Sequence, residues 1–399
     1  MRATKPDKPY KDFPLTAHPR GTWCKKIKGK IYHFGGWSDP EAALAKYRHD
    51  VDARQAGRDP DPMPTSDQLT IEDLCDEFLE SKEKLVDSGD LSKGMWFDYR
   101  RSCARLLEIT GKTKIVELMK PRDFDDIRAT LAKDANGNNV AKVTLANRIR
   151  LARILFKFAN DQDLVKTPLK FGQNFKEPDR AALRSERQSK PSKEFTAEEL
   201  RAIIDAASVP LKTMVLLGIN CGYGNNDCAT LPQSAIDLKG AWINFPRPKT
   251  AVERRCPLWP ETVKALREAI ASRPDPKVEE FSGLTFLTKY GNPYVRLATK
   301  GTNLDAVAGE FAKVLAELNL SGNRRAFYSL RRTFETVAGN SRDQIATDYI
   351  MGHSPPSEDM SAVYRQSIAD DRLQAVTDHV RSWLWPKKKK TAAKRSPKQ

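Results

Sequence analysis

Apolar positions recur at three- and four-residue steps along most of this chain, which predicts a mainly helical protein broken by a few short strands. Ile71, Leu74, Phe78 and Leu79 share one face of a helix that Thr70 caps. Trp96, Tyr99, Cys103 and Leu106 mark a second helix, and Phe124, Ile127 and Leu131 a third. A fourth runs from about Val143 to Asn160 and places Leu145, Ile149, Ala152 and Phe156 inward. Further on, Thr196 and Glu199 form a capping box ahead of Leu200, Ile203 and Ile204. The segment from Asp370 to Leu384 carries Leu373, Val376, Val380, Trp383 and Leu384 on one face.

Strand signals are sparse. Trp23 to Phe34 reads as two short strands around Lys28-Gly29. Asp39-Pro40 then supplies an N-cap and a first-turn proline for a helix reaching about Ala56, which Gly57 ends. One strand-rich stretch, Ala241 to Leu258, interrupts the later helices. Proline-rich or polar breaks at 58–67 and from Lys166 to about Glu194 act as linkers. They give a β-plus-α module over 1–64, a four-helix domain over 70–165, a large domain over 195–386 and a tail over 387–399. The fold class expected is mainly α, multi-domain, with small β elements and no internal repeat.

Composition narrows the partners. The 399 residues carry a formal net charge of +16 and are 39% hydrophobic, enough to bury real cores. The longest apolar run, Met214 to Ile219, is far short of the roughly 20 residues a spanning helix needs. The first residues lack the apolar core of a secretory signal, so a cytoplasmic protein with no membrane partner is expected. Cys24, Cys75, Cys103, Cys221, Cys228 and Cys256 include no C-x-x-C pair, and the five histidines are not spaced to share a metal with them. Reduced, buried thiols and no structural metal are expected.

The excess positive charge points to a polyanion, with nucleic acid the leading candidate. Seven of the bases lie in the final thirteen residues, a solvated tail. Others cluster. Lys25, Lys26, Lys28 and Lys30 interleave with Trp23, Tyr32 and Phe34, either as a groove-binding hairpin or as a solvated face. Arg150, Arg153 and Lys157 form one basic stripe on the fourth helix, open to the same two readings.

Four segments of the last domain stand in a telling order: LLGINCGYGNNDCATL (216–231), NFPRPKTAVERRCPL (244–258), FYSLRRTFETV (327–337), and IMGHS (350–354) followed by AVYRQS (362–367). This order resembles the tyrosine recombinase, or phage integrase, family. The family pattern is an arginine in T-G-x-R-x-x-E-L, a hairpin lysine, H-x-L-R-H-T-F, L-G-H and a nucleophilic tyrosine. The resemblance implies an integrase-like helical catalytic domain over 195–386, a core-binding domain over 70–165 and an arm-binding module over 1–64. It implies duplex DNA as partner, clasped by a C-shaped clamp. Strands would be cleaved and rejoined through a 3′-phosphotyrosyl link without a cofactor or metal, as in integration or excision of mobile DNA. It also implies assembly into a tetramer on DNA through the C-terminal helix. The residues alone leave open whether that helix packs on a neighbour or folds back on its own domain.

Carried over by position, Tyr364 matches the nucleophile, Arg331 the second arginine, His353 the histidine of L-G-H and Lys249 the hairpin lysine. The chemistry suits these types. A phenol with a pKa of about 10 needs help to attack phosphorus at neutral pH. Guanidinium forks neutralise phosphate oxygens without titrating, and an ammonium can protonate the leaving 5′-oxygen.

Two positions depart from the pattern. Gly224 stands where the family has its first arginine, with Asp227 at the glutamate, and Tyr328 stands where it has histidine, with Arg332 at the next histidine. Tyr328 can still donate a hydrogen bond to a phosphate oxygen. Loss of a transition-state donor typically costs about 10²–10³ in rate. Arg247, Arg254 and Arg255 on the hairpin are candidate replacements. Gly224 also supports a rival reading, a degenerate integrase that binds DNA without cutting it, as an architectural or regulatory protein. A type IB topoisomerase-like relaxase would use similar residues without needing the N-terminal module.

Overall fold

A computed structural model describes residues 5–354, except 58, 61, 64 and 66, and residues 367–386. Tyr364, most of AVYRQS and the basic tail fall outside them. The chain divides into two compact units, Met1–Arg187 and Gln188–Gln399. Each is mainly α with small antiparallel sheets.

The first unit begins with three strands, β1 (Thr16–His18), β2 (Thr22–Ile27) and β3 (Lys30–Gly36), in that order across an antiparallel sheet. Two were expected. The third, β1, is only three residues long and leaves too short a pattern to read. Lys28 and Gly29 turn between β2 and β3 at φ 45° and 84°, as a two-residue hairpin requires. Helix α1 (Pro40–Gln55) starts where Asp39 accepts the Ala42 N–H at 2.8 Å. Gly35 lets α1 approach the sheet, since a Cβ there would lie 3.0 Å from Ala43 Cβ. Phe13, Leu15, Trp23, Ile27, Phe34 and Ala43 form the core of this module.

A separate core fills the space between α2 (Ile71–Asp87), α3 (Lys93–Thr110), α4 (Pro121–Leu131) and α5 (Lys142–Asp161). All four match the periodicity. At the start of α2, Thr70 Oγ1 accepts the Asp73 N–H while the Asp73 carboxylate accepts that of Thr70. The stretch read as a linker after 165 contributes to this core. Phe175 is fully buried and Phe171 packs edge-on against Phe124, with ring centroids 4.9 Å apart. Its polar composition hides two aromatic anchors. Beyond them lies α6 (Arg180–Gln188), with no buried side chain.

The second unit is built around α8 (Val209–Asn220), which is buried on every side from Thr213 onward. Around it stand α7 (Ala197–Ala206), α10 (Pro260–Ala271), α11 (Ala306–Glu317), α12 (Ser329–Gly339), α13 (Gln344–Met351) and α14 (Asp370–Leu384). The strand-rich stretch supplies β5 (Trp242–Asn244) and β6 (Arg255–Pro257), and β4 (Ile236–Asp237), just before it, completes a three-stranded sheet. A second hairpin, β7 (Val295–Leu297) with β8 (Asn303–Asp305), was not anticipated; its strands are again three residues long. Between β4 and α8 lies the short α9 (Asn225–Ala229).

Helix α14 folds back on its own unit. Leu373, Val376, Val380 and Leu384 are buried in the main core, and the Trp259 indole donates to the Thr377 carbonyl at 3.0 Å. Arg372 and Arg381 make forked pairs with Asp343 and Glu261 at 2.7–3.0 Å. The apolar face expected to meet a neighbouring protomer is therefore occupied within this chain. No helix among the described residues is long and apolar enough to cross a membrane. All six cysteines are free and buried.

Candidate functional site

Three turns converge at one end of α8. The first follows α8 itself, where Gly222 takes φ +66° and a Cβ would meet Phe334 at 3.0 Å and Met351 at 3.1 Å. The second precedes α12, which lies close to α8 because Gly218 offers no side chain; a Cβ there would stand 2.8 Å from Leu330 Cδ1. The third ends α13, where Gly352 turns left-handed at φ +63°. Glycine is needed there twice over, since a Cβ would also lie 3.0 Å from Arg247 Cβ and 3.2 Å from Arg254 Cδ.

Arg331, on the first turn of α12, ties these turns together. Its Nη1 donates to the Gly222 carbonyl at 2.6 Å and its Nη2 to the Met351 carbonyl at 2.8 Å. Only 2% of it is exposed, and among the described residues it has no carboxylate partner. Burial, and next the like charge of Arg247, lower its pKa. A guanidinium at this depth is costly to hold without an anionic partner.

His353 follows Gly352 directly. Its Nδ1 lies 3.0 Å from Asp348 Oδ1 and 3.8 Å from Glu335 Oε2. Gln344 Nε2 donates to both carboxylates at 3.1 Å. The carboxylate at Nδ1 fixes the ring and leaves Nε2 for other work. The sequence reading missed Asp348 and Glu335, although Asp348 precedes His353 by five residues, one turn and a cap. Glu335, Asp348 and His353 also offer atoms within 4.8 Å of one another, the grouping among the described residues with metal-ligand chemistry. The hydrogen bonds just described already use this set.

The hairpin arginines separate into three fates. Arg254 turns inward, 3% exposed, with Nη2 2.8 Å from Asp227 Oδ1 and Nε donating to the Phe245 carbonyl at 2.7 Å. Its guanidinium also covers the Tyr223 ring at 4.0 Å. Arg255 faces outward, pairs with Asp370 and stacks on Trp242 at 4.0 Å. Arg247 is half-buried, with Nη1 3.4 Å from the Gly352 carbonyl. Lys249 stands exposed at the hairpin tip, without a hydrogen bond among the described residues. Tyr328 is 46% exposed at the start of α12, and exposed Arg332 lies 5.9 Å from its ring centroid.

At position 224 the backbone is extended, φ −97° and ψ 179°, and its N–H donates to Asp227 Oδ2 at 2.7 Å. Asp227 thus serves both the turn and Arg254.

In the first unit, Arg153 is not a free member of a basic stripe. Its Nη1 donates to the Phe175 carbonyl at 2.7 Å and its guanidinium lies 4.7 Å from the Phe171 ring centroid. It fastens the segment after α5 to the helices. Arg150 and Lys157 remain exposed. On the N-terminal sheet, Lys25 reaches back to the Pro14 carbonyl at 2.8 Å, whereas Lys26 and Lys28 are exposed.

No family model matches the chain, and no curated protein matches it in sequence. Solved structures do. A lambda integrase dimer bound to a COC′ core site is similar with a TM-score of 0.55 at 14% identity, over 90% of this chain and 96% of that one. The fold is that of lambda integrase. A lambda integrase tetramer bound to a Holliday junction is similar with a TM-score of 0.55 at 15% identity, over 91% of this chain and 97% of that one. The Tn1549 transposon integrase in complex with transposon right end DNA gives a TM-score of 0.55 at 15% identity, over 78% of this chain and all of that one. This fold brings the turns of 222–224, 327–331 and 351–353 to one place although more than a hundred residues separate the first from the others.

Proposed function

We propose that this protein is a site-specific tyrosine recombinase that cleaves and rejoins duplex DNA. The observation that carries this reading is Arg331, a buried guanidinium with no ion pair among the described residues, bonded to the turns before Gly224 and before His353. A structural arginine at such depth would be expected to meet a carboxylate. In this reading a DNA phosphate is the anion that Arg331 meets.

In this reading the Tyr364 oxygen bonds to phosphorus as the bond to the 5′-oxygen breaks. Lys249 gives that oxygen its proton, and the phenol proton passes to water. Arg331 clamps a non-bridging oxygen, while His353 Nε2 and the Tyr328 hydroxyl supply further hydrogen bonds as charge builds. The helices of 70–165 act as the core-binding domain and the module of 1–64 as an arm-binding module. Exposed Lys26, Lys28, Arg150 and Lys157 contact phosphates. Protomers assemble on DNA through surfaces other than the occupied face of α14.

Gly224 favours one alternative, an integrase-derived DNA-binding protein without cleavage. The experiment that separates them uses duplexes selected by the full chain from a random-sequence pool and nicked at successive positions. A covalent protein–DNA adduct that Tyr364→Phe abolishes supports the recombinase. Tight binding with no adduct at any nick position supports the binder. Relaxation of supercoiled plasmid without sequence preference would instead favour a topoisomerase-like activity.

A further inference from the structure

Gly224 supplies no cation where the family pattern has its first arginine, and the hairpin brings three arginines to the neighbourhood. They are not equivalent. Arg254 is already neutralised, since its charge and that of Asp227 form a buried pair at 2.8 Å. Arg255 is likewise matched by Asp370 and points away along Trp242. Arg247 has no ion pair among the described residues.

Its position is specific. Arg331 Nη2 binds the carbonyl of Met351, and Arg247 Nη1 approaches the carbonyl of the next residue, Gly352. The residue after that is His353. Two guanidinium groups therefore flank the turn that carries His353, and after burial the like charge of Arg247 is what lowers the Arg331 pKa. Like charges brought together repel, and an anion relieves that repulsion. The bidentate demand of a phosphate with two non-bridging oxygens matches two guanidinium forks.

We propose that Arg247 supplies the phosphate-neutralising guanidinium that Gly224 cannot, entering from the hairpin rather than from the turn after α8. This rests on the recombinase reading above. The hairpin is suited to deliver it. The Arg247 backbone closes the loop, with its N–H on the Val252 carbonyl at 2.8 Å and its own carbonyl accepting from Ala251 at 2.8 Å. Those bonds do not involve the side chain, so the loop survives its removal. Gly352 lets the Arg247 stem lie directly against the turn.

The test follows adduct formation by the full chain on the selected, nicked duplex. Arg247→Ala is expected to slow it about 10²–10³-fold, with Arg247→Lys between that and wild type. Melting temperature should be unchanged. The decisive arm replaces the scissile phosphate by a neutral methylphosphonate. There the charge to be neutralised is already gone, so the gap between Arg247→Ala and wild type should largely close. An Arg247→Ala adduct rate equal to wild type overturns the assignment and leaves the recombinase reading standing. A gap that persists undiminished on the methylphosphonate also overturns it, because the side chain would then act otherwise than by charge. A wild-type chain that yields no Tyr364-dependent adduct overturns both.

Discussion

Tyr328 lies against Gly224: a Cβ at position 224 would stand 3.4 Å from Cδ2 of the Tyr328 ring and 3.3 Å from Asp227 Oδ2. The two departures from the family pattern, a hundred residues apart in sequence, are neighbours in space. The backbone at 224 is not one that demands glycine. A Cβ there would make ordinary contact with the ring and a slightly tight one with the Asp227 carboxylate.

Gly224→Arg alone should lower stability, because the new chain crowds the Asp227 carboxylate and the Tyr328 ring beside it. Adding Tyr328→His should recover part of the loss. Chemical denaturation of wild type, both single variants and the double should give a coupling of about 0.5–3 kcal/mol. Additive effects would show that the ring does not set the limit.

The Arg254–Asp227 pair is buried on both sides, with side-chain exposures of 1% and 11%. Asp227→Ala leaves a buried charge without its partner and should cost about 3–5 kcal/mol. Asp227→Ala with Arg254→Met removes the charge as well, so the double variant should be the more stable of the two in urea.

Basic residues on the first unit should sort by their contacts. Lys28→Ala, Arg150→Ala and Lys157→Ala should each weaken duplex binding, lowering the slope of log K against log salt by roughly 0.9 per phosphate contact. Arg153→Ala should leave that slope unchanged and lower the melting temperature, since its guanidinium holds Phe171 and the Phe175 carbonyl.

Asp348→Ala removes the acceptor at His353 Nδ1. Loss of about 1 kcal/mol of positioning corresponds to a several-fold slower adduct step. Duplex affinity should not change, which separates this effect from a loss of DNA contact.

The forked bonds from Arg372 and Arg381 hold Asp343 and Glu261 below the usual carboxylate range. With folded values depressed, each carboxylate contributes stability above its unfolded pKa of about 3.9–4.3, and the contribution disappears as pH falls through the folded value. Asp343→Asn and Glu261→Gln should each cost about 0.2–1 kcal/mol at neutral pH, the pairs being half-exposed. The difference from wild type should vanish in acid. A difference that grows in acid would contradict the sign.

The sequence by itself determined the elements whose signals are local. Caps at Asp39, Thr70 and Thr196, the Lys28-Gly29 turn and the four amphipathic helices from 71 to 161 follow from a few neighbouring residues each. Strands of three residues, β1, β7 and β8, carry too short a pattern and went unseen. The order of motif residues also pointed to Arg331 and His353 as members of one site. Only the tertiary structure decided what each cation near that site does. Arg247, Arg254 and Arg255 lie within nine positions of one another, yet one flanks the turn before His353, one is neutralised in the core and one faces outward. The reason is that a side chain's charge is spent or spared by what it meets after folding. Asp227, Asp370 and the Gly352 carbonyl come from segments that no local pattern could have placed beside the hairpin.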